Sequence, residues 1–292
     1  VEQLNKTNCP ICDSHTFAPF MDVKDHMITK EDFKIVKCTA CGFHFTNPIP
    51  SIANIGEYYK SEDYVSHSSS KKGIINSLYN LVRNHTLKKK VSLLKSLSSG
   101  KELLDIGSGT GHFLNQAKET GFVVEGLEPD QDAVNFAKTN FKVDLFPLAH
   151  LYELQNESKD FITMWHVLEH VYNLKEDFQQ IVNVLKKGGF LIIAVPNLES
   201  YDANLYKEYW AAYDVPRHLY HFRKTDIQNL ASQFGLKQEA VKPMKFDSYY
   251  VSMLSEKYKG GSIVKAFWNG WMSNLKSSKG GYSSQIYILR KN

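Results

Sequence analysis

Cysteine is scarce in this chain: four residues out of 292, none beyond position 41. A disulfide framework is therefore excluded for most of its length. Long apolar runs are absent as well. None approaches the roughly 18 residues that a membrane-spanning helix needs, so no membrane partner is expected. The opening stretch VEQLNKTNCPIC lacks a basic start followed by an apolar segment, which is the mark of a secretory leader. These two absences predict a cytoplasmic protein. An excess of one charge is missing too, with 35 basic against 31 acidic residues and a formal net charge of +4. So even a balance argues against nucleic acid as a partner. The basic clusters are short, Lys71-Lys72 and Lys88-Lys89-Lys90, and read as solvated helix faces. What is present is the material of a globular protein, 42% apolar and 13% aromatic.

The few cysteines are placed with a pattern. Cys9 and Cys12 form CPIC, Cys38 and Cys41 form CTAC, and 25 residues separate the pairs. Two such turns can present four thiolates to one ion, which suits a structural zinc. Two disulfides do not suit a chain without a leader, and a redox pair would open a helix after a strand, which is not seen here. With cysteine at all four positions, no coordination site is left for catalysis. Residues 1–50 are thus expected to form a zinc-binding module, ending at NPIP, and too short to build much core alone.

Residues 51–99 read as a linker followed by a helical segment. The stretch 51–73 is polar. Beyond it, Ile75, Leu78, Leu81, Val82, Val91, Leu94 and Leu97 recur at helical spacing. From residue 100 short apolar runs alternate with helical stretches: KELLDI, GHFLNQAKET, FVVEGLE, DQDAVNFAKTN, KDFITMW, EDFQQIVNVLKK and GFLIIAVPN. That alternation predicts an α/β fold, a doubly wound parallel sheet covered on both faces.

LLDIGSGTGHFL places a glycine-rich turn between a strand and a helix, with Gly107, Gly109 and Gly111. The third glycine comes one residue too early for a dinucleotide fingerprint. Asp105 ends the strand, where a carboxylate would repel a pyrophosphate but attract an ammonium. Glu128, at the end of the next strand, stands where such folds hold ribose hydroxyls, about 20 residues beyond the first glycine.

Together, LLDIGSGTG, GLEPD, FITMWHVLEHV and LKKGGFLIIAVPN, in this order, resemble the class I methyltransferases that use S-adenosylmethionine. The resemblance covers residues 100–245 and 282–292. It implies a seven-stranded, mostly parallel, Rossmann-like sheet whose last strand is antiparallel. It implies a cofactor set of Asp105, Gly107, Gly109, Gly111, Glu128 and Pro129, with Trp165 and His166 at the end of the fourth strand. The adenine would lie near Leu148 and Ala149.

The acceptor side rests on two segments. His166, Glu169 and His170 would share one face of a helical turn. They either cap and pack, or hold a divalent metal as the similar trio of quinone-biosynthesis O-methyltransferases does. The second segment is DVPRHLYHF, residues 214–222. A zinc module followed by this domain is similar in layout to sugar C-methyltransferases acting on nucleotide-linked keto-sugars. The histidine of their Tyr, Glu and His cluster matches His218, but Val215 and Arg217 stand in the other two places, which leaves the methylated atom open. His218 or His221 is the candidate base, and Arg217 the candidate grip on an acidic group of the substrate. The competing reading makes His218 a structural residue bonding backbone in a turn. Residues 246–281 interrupt the link between the last two strands with aromatics and paired glycines. They are expected to be a packed insertion or a lid. The expected activity is methyl transfer to a small polar acceptor, a nucleotide-linked sugar among the candidates. The alternatives are a quinone-type O-methyltransferase, or a nucleic-acid modifier gripping its target through the zinc module.

Overall fold

The computed structural model describes residues 2–59 and 74–292, and side chains of the first long helix from residue 82 onward. Lys71-Lys72, much of the polar linker and the side chains of Ile75, Leu78 and Leu81 lie outside the described residues.

The strands in chain order are β1 (Gln3–Leu4), β2 (Phe17–Lys24), β3 (Asp32–Cys38), β4 (His44–Thr46), β5 (Ile49–Pro50), β6 (Glu102–Ile106), β7 (Val123–Leu127), β8 (Leu145–Phe146), β9 (Lys159–Trp165), β10 (Leu185–Pro196), β11 (Tyr220–His221), β12 (Leu236–Pro243) and β13 (Ser284–Lys291). The helices are α1 (Ile74–Leu97), α2 (His112–Glu119), α3 (Gln131–Phe141), α4 (Leu174–Val184), α5 (Tyr201–Tyr206), α6 (Lys224–Gln233), α7 (Asp247–Lys259), α8 (Ile263–Leu275) and α9 (Ser277–Gly280).

Seven strands form the central sheet in the order β12-β13-β10-β9-β6-β7-β8. β6 to β10 run parallel, and β13 is antiparallel to both its neighbours. The α/β sheet expected from the sequence is therefore present. Leu103 and Leu104, neighbours on β6, are buried on opposite faces, as a strand covered on both sides requires. Leu103 packs with Val91 and Leu94 of α1 and Phe113 and Leu114 of α2. Leu104 belongs to the core that also holds Phe178 and Ile181 of α4 and Ile227 and Leu230 of α6. β6 pairs with β7 on one side and β9 on the other, so strand order reverses between β6 and β9. The crevice beyond their carboxyl ends is where such sheets bind ligands.

A second sheet has the order β11-β4-β3-β2. Three of its strands come from the first fifty residues. The fourth is Tyr220–His221, paired antiparallel with Phe45 and His44. Cys9, Ile11, Phe43 and Phe45 bury their side chains in the same core as Leu219 and Phe222. The N-terminal segment thus gains its apolar partners from the α/β body, as its small size demands.

Candidate active site

Gly107 and Gly109 follow β6 in left-handed backbone, with φ of +71° and +52°. Each is there for a reason. A Cβ on Gly107 would meet Val167 at 2.4 Å, whereas a Cβ on Gly109 would meet nothing within 4 Å among the described residues. Gly107 allows the loop after β9 to come close, and Gly109 leaves an open ledge. The Gly109 N–H donates to Glu128 Oε2 at 2.7 Å, and the Asp130 N–H donates to Oε1 at 3.0 Å. Loop and acid are therefore locked side by side, and each oxygen keeps a lone pair for a ligand hydroxyl. Burial pushes the Glu128 carboxyl up from its ordinary value. Asp105 lies beneath the loop, buried, accepting from Thr163 Oγ1. Pro129 and Leu148 are exposed beside the carboxyl ends of β7 and β8, and Ala149 shares the short turn Leu148–Tyr152.

At the end of β9, His166 also has positive φ, +58°. A β-region or helical backbone would aim this ring elsewhere; strain of this kind collects at working sites. Its Nε2 lies 2.9 Å from Asp247 Oδ2 and its Nδ1 3.3 Å from Glu169 Oε1. Burial opposes charge on the ring, but the two carboxylates outweigh it and raise its pKa to about 10. Burial likewise opposes charge on Glu169, but the hydrogen bond from His166 prevails and holds the carboxyl below its ordinary value.

His218 stands on the other side of Glu169. Its Nδ1–H donates to the Ala212 carbonyl at 2.8 Å, which leaves Nε2 as the free acceptor. That nitrogen lies 4.0 Å from Glu169 Oε1 and 3.9 Å from Asp214 Oδ2. The His170 ring meets the His218 ring edge-on at 4.6 Å, and its Nδ1 is bonded to the Arg217 carbonyl and Tyr59 Oη. Burial, then His218, lowers the His170 pKa to about 4, so this ring stays neutral. Among the described residues, Glu169 Oε2 is buried with no hydrogen-bond partner. Glu169, His170 and His218 each bring one ligand atom within 4.8 Å of the others, close enough to hold one ion.

The four cysteines also converge, all within 4.8 Å. Cys9 Sγ and Cys41 Sγ are 3.6 Å apart, as are Cys12 Sγ and Cys38 Sγ. A tetrahedral zinc with sulfurs at about 2.3 Å has edges of about 3.8 Å. The donor set fits such an ion.

A family model described as a methyltransferase domain matches residues 79–241, more than half of the chain. The chain belongs to this methyltransferase family. Two ubiquinone biosynthesis O-methyltransferases resemble the methyltransferase in part. That of Glaesserella parasuis is 32% identical over 34% of this chain and 46% of its own length. That of Rickettsia bellii is 29% identical over 50% of this chain and 64% of its own. The match thus spans about half to two thirds of these relatives. Among solved structures, magnesium protoporphyrin IX methyltransferase of Synechocystis, with bound S-adenosylhomocysteine, covers 83% of this chain and all of its own at TM-score 0.56 and 12% identity. A methyltransferase of Archaeoglobus fulgidus covers 72% and 94% at TM-score 0.51 and 17% identity. These likenesses show the fold.

Three expectations for the methyltransferase are corrected by its geometry. Arg217 does not face a substrate. It is 1% exposed, and its Nε, Nη1 and Nη2 donate to Asp214, the Tyr58 carbonyl and Asp25. His221 is buried with Nε2 3.1 Å from Thr46 Oγ1, and burial drives its pKa well below the ordinary value, so it has no path to an acceptor proton. His166, Glu169 and His170 do not share a helical face. Leu168–His170 is a single tight turn, and His166 swings to Asp247 while His218 takes its place beside Glu169 and His170.

One residue escaped the sequence reading. Lys90 is not on a solvated face; its ammonium lies 4.1 Å from the Trp165 ring centroid. Burial pushes it down, against the attraction of Asp105 and Asp247. The signal was its register. Leu87, Lys90, Val91, Leu94 and Leu97 occupy one face of α1 by spacing. A lysine inside an apolar stripe has a specific neighbour more often than a lysine outside one.

Proposed function

We propose that this methyltransferase moves the methyl group of S-adenosylmethionine to a small polar acceptor, with His218 as the base. The observation that carries this reading is the ring of His218 beside Glu169, at the crevice where β6 and β9 end.

The ribose hydroxyls would be accepted by Glu128, and Gly109 would let the ligand lie against the backbone. Lys90 and Asp105 offer an ammonium and a carboxyl group that suit the carboxylate and ammonium of the methionine part; burial pushes the Asp105 pKa up to about 7, and the ligand's ammonium would favour its ionised form. Trp165 carries the Lys90 ammonium over its ring, and Leu148 would offer an apolar surface to the adenine. When bound, the sulfonium supplies an electrophilic methyl. Its leaving group would depart as a neutral thioether, so the protein need not stabilise a leaving charge. The protein's part is to hold the acceptor in line and to remove its proton. His218 Nε2 is free to take that proton, and Glu169 and Asp214 within about 4 Å would stabilise the imidazolium. Arg217 is a positioning residue here: its carbonyl holds His170, and its guanidinium fixes Asp214.

An acceptor carrying a nucleotide-linked sugar follows from the layout resemblance to sugar C-methyltransferases. The four-cysteine site is read as a structural zinc. Titration calorimetry with S-adenosylmethionine and S-adenosylhomocysteine tests the core of this proposal. Binding of neither overturns it.

A second reading of the rim has one observation in its favour, the convergence of Glu169, His170 and His218 ligand atoms within 4.8 Å, with Glu169 Oε2 buried and unpaired among the described residues. In that reading Glu169, His170 and His218 hold a divalent cation that orients an acceptor oxygen. Turnover that survives exhaustive chelation, with the cysteine-bound metal retained, decides for the base.

A further inference from the structure

The helix α8 turns most of its large apolar side chains outward. Ala266, Gly270 and Ser273 are buried on its inner face. Ile263, Val264, Phe267, Trp268, Trp271 and Leu275 occupy the outer face, between 43% and 75% exposed. At roughly 100° per residue these six fall within one half of the helix. An apolar stripe this wide normally meets a cover.

The exposed charges of its own segment are all of one sign. Residues 246–281 contain five lysines, Lys257, Lys259, Lys265, Lys276 and Lys279, and all five are exposed. The same segment has two acids, and both are engaged. Asp247 is bound to His166. Glu256 is 6% exposed and bonded to Tyr206 Oη and Asn269 Nδ2.

We propose that α8 docks flat on an anionic lipid surface. Tryptophan, phenylalanine and aliphatic side chains on one face with a lysine border are the pattern of an interfacial helix. The aromatic rings would enter the boundary between headgroups and acyl chains, and the lysines would meet lipid phosphates. A helix of 13 residues is about 20 Å long, well short of the roughly 30 Å hydrocarbon core, so it lies on the bilayer and does not cross it. Among the described residues no helix is long and apolar enough to cross. The sequence reading expected no membrane partner, but on the lack of a crossing helix alone, and a helix lying on the surface departs from that expectation. A second copy of the chain fits this face less well. A two-fold contact sets a patch against itself, so lysine borders would face each other with no free acid of the segment to pair them.

The test is co-sedimentation of the full chain with vesicles, one set of phosphatidylcholine alone, the other with about a third phosphatidylglycerol. The full chain should partition at least about tenfold more onto the anionic vesicles at low salt, and lose that preference at high salt. The double variant W268S/W271S should bind at least about tenfold less, while keeping its circular dichroism and its affinity for S-adenosylmethionine. The triple variant K257Q/K259Q/K265Q should lose the anionic preference alone. No sedimentation with either vesicle overturns the proposal, as does equal binding to both. A dimer in light scattering that W268S/W271S dissociates, without an effect on vesicles, assigns the face to a second copy instead.

Discussion

His218 Nε2 stands 4.0 Å from Glu169 Oε1 while its Nδ1–H is held by the Ala212 carbonyl at 2.8 Å. One nitrogen is spent on a turn and the other is kept free. The two sequence-level readings of this histidine, base and turn-former, are therefore compatible in one ring.

Removing that free nitrogen should lower turnover and spare the cofactor. For His218→Ala we expect turnover to fall by about 10²–10⁴, the usual share of a general base. Affinity for S-adenosylmethionine should stay within about twofold of wild type. His221→Ala should behave differently, lowering the melting temperature with a smaller effect on turnover, because His221 is a buried partner of Thr46. Parallel steady-state assays and thermal melts check both, and unchanged turnover in His218→Ala assigns that residue to structure.

The cofactor cradle can be divided by ligand. Glu128→Ala should weaken both S-adenosylmethionine and methylthioadenosine by roughly 10–100-fold, the worth of charge-assisted hydrogen bonds to the ribose. Lys90→Met should weaken S-adenosylmethionine by about tenfold and leave methylthioadenosine unchanged, because the latter lacks the carboxylate. Calorimetry on the two variants with the two ligands gives four values. Equal losses for both ligands in Lys90→Met would exclude the carboxylate role.

The Arg217 cluster should appear as stability. The guanidinium lies 3.0 Å from Asp25 Oδ1, and it also pairs with Asp214. Arg217→Met leaves buried carboxylate charge uncompensated and should cost about 3–5 kcal/mol. Burial works against the Asp25 carboxylate, but the hydrogen bond from Arg217 and those from Thr29 and Ile28 outweigh it, holding its pKa below the ordinary 3.8. A depressed carboxyl pKa contributes stability that is complete above the unfolded value and lost as pH falls through the folded one. The gap between wild type and Arg217→Met should therefore be full near neutral pH and narrow below about pH 4. Urea melts across that range read it directly.

The cysteine site should bind about one zinc per chain. Its removal should lower the melting temperature and expose amides across β4 and β11. Hydrogen exchange at Thr46, whose N–H donates to the Leu219 carbonyl, is the local probe. Protection there that is unaffected by chelation would separate the metal from the second sheet.

Features fixed by neighbouring residues were legible. The glycine loop and Glu128 form a local pattern, and the structure places them 2.7 Å apart. The cysteine pairs are local too, and they converge. The features that were not legible depend on distant partners or on backbone geometry. The pairing of Tyr220 with Phe45 spans most of the chain, and nothing in either segment announces it. Arg217 was conspicuous as a reactive group because polar residues crowd around it, yet the same crowding is what neutralises a buried charge. The trio at the end of β9 failed because helical spacing was assumed, whereas His166 adopts a left-handed backbone that sends its ring to Asp247. Asp247 itself lies 81 residues further on, at the start of the insertion.

The shared second sheet carries a consequence for how the chain can be cut. Thr46 Oγ1 bonds the His218 carbonyl at 3.0 Å, and β11 completes a sheet begun before residue 50. A fragment starting near residue 100 would retain the glycine ledge and Glu128 but strip the edge on which the segment around His218 is hung. Such a fragment also loses α1, whose Val91 and Leu94 cover Leu103, and should be unable to turn over. The first fifty residues thus hold up the segment that carries His218, and the seam between modules in the sequence is not a seam in the second sheet.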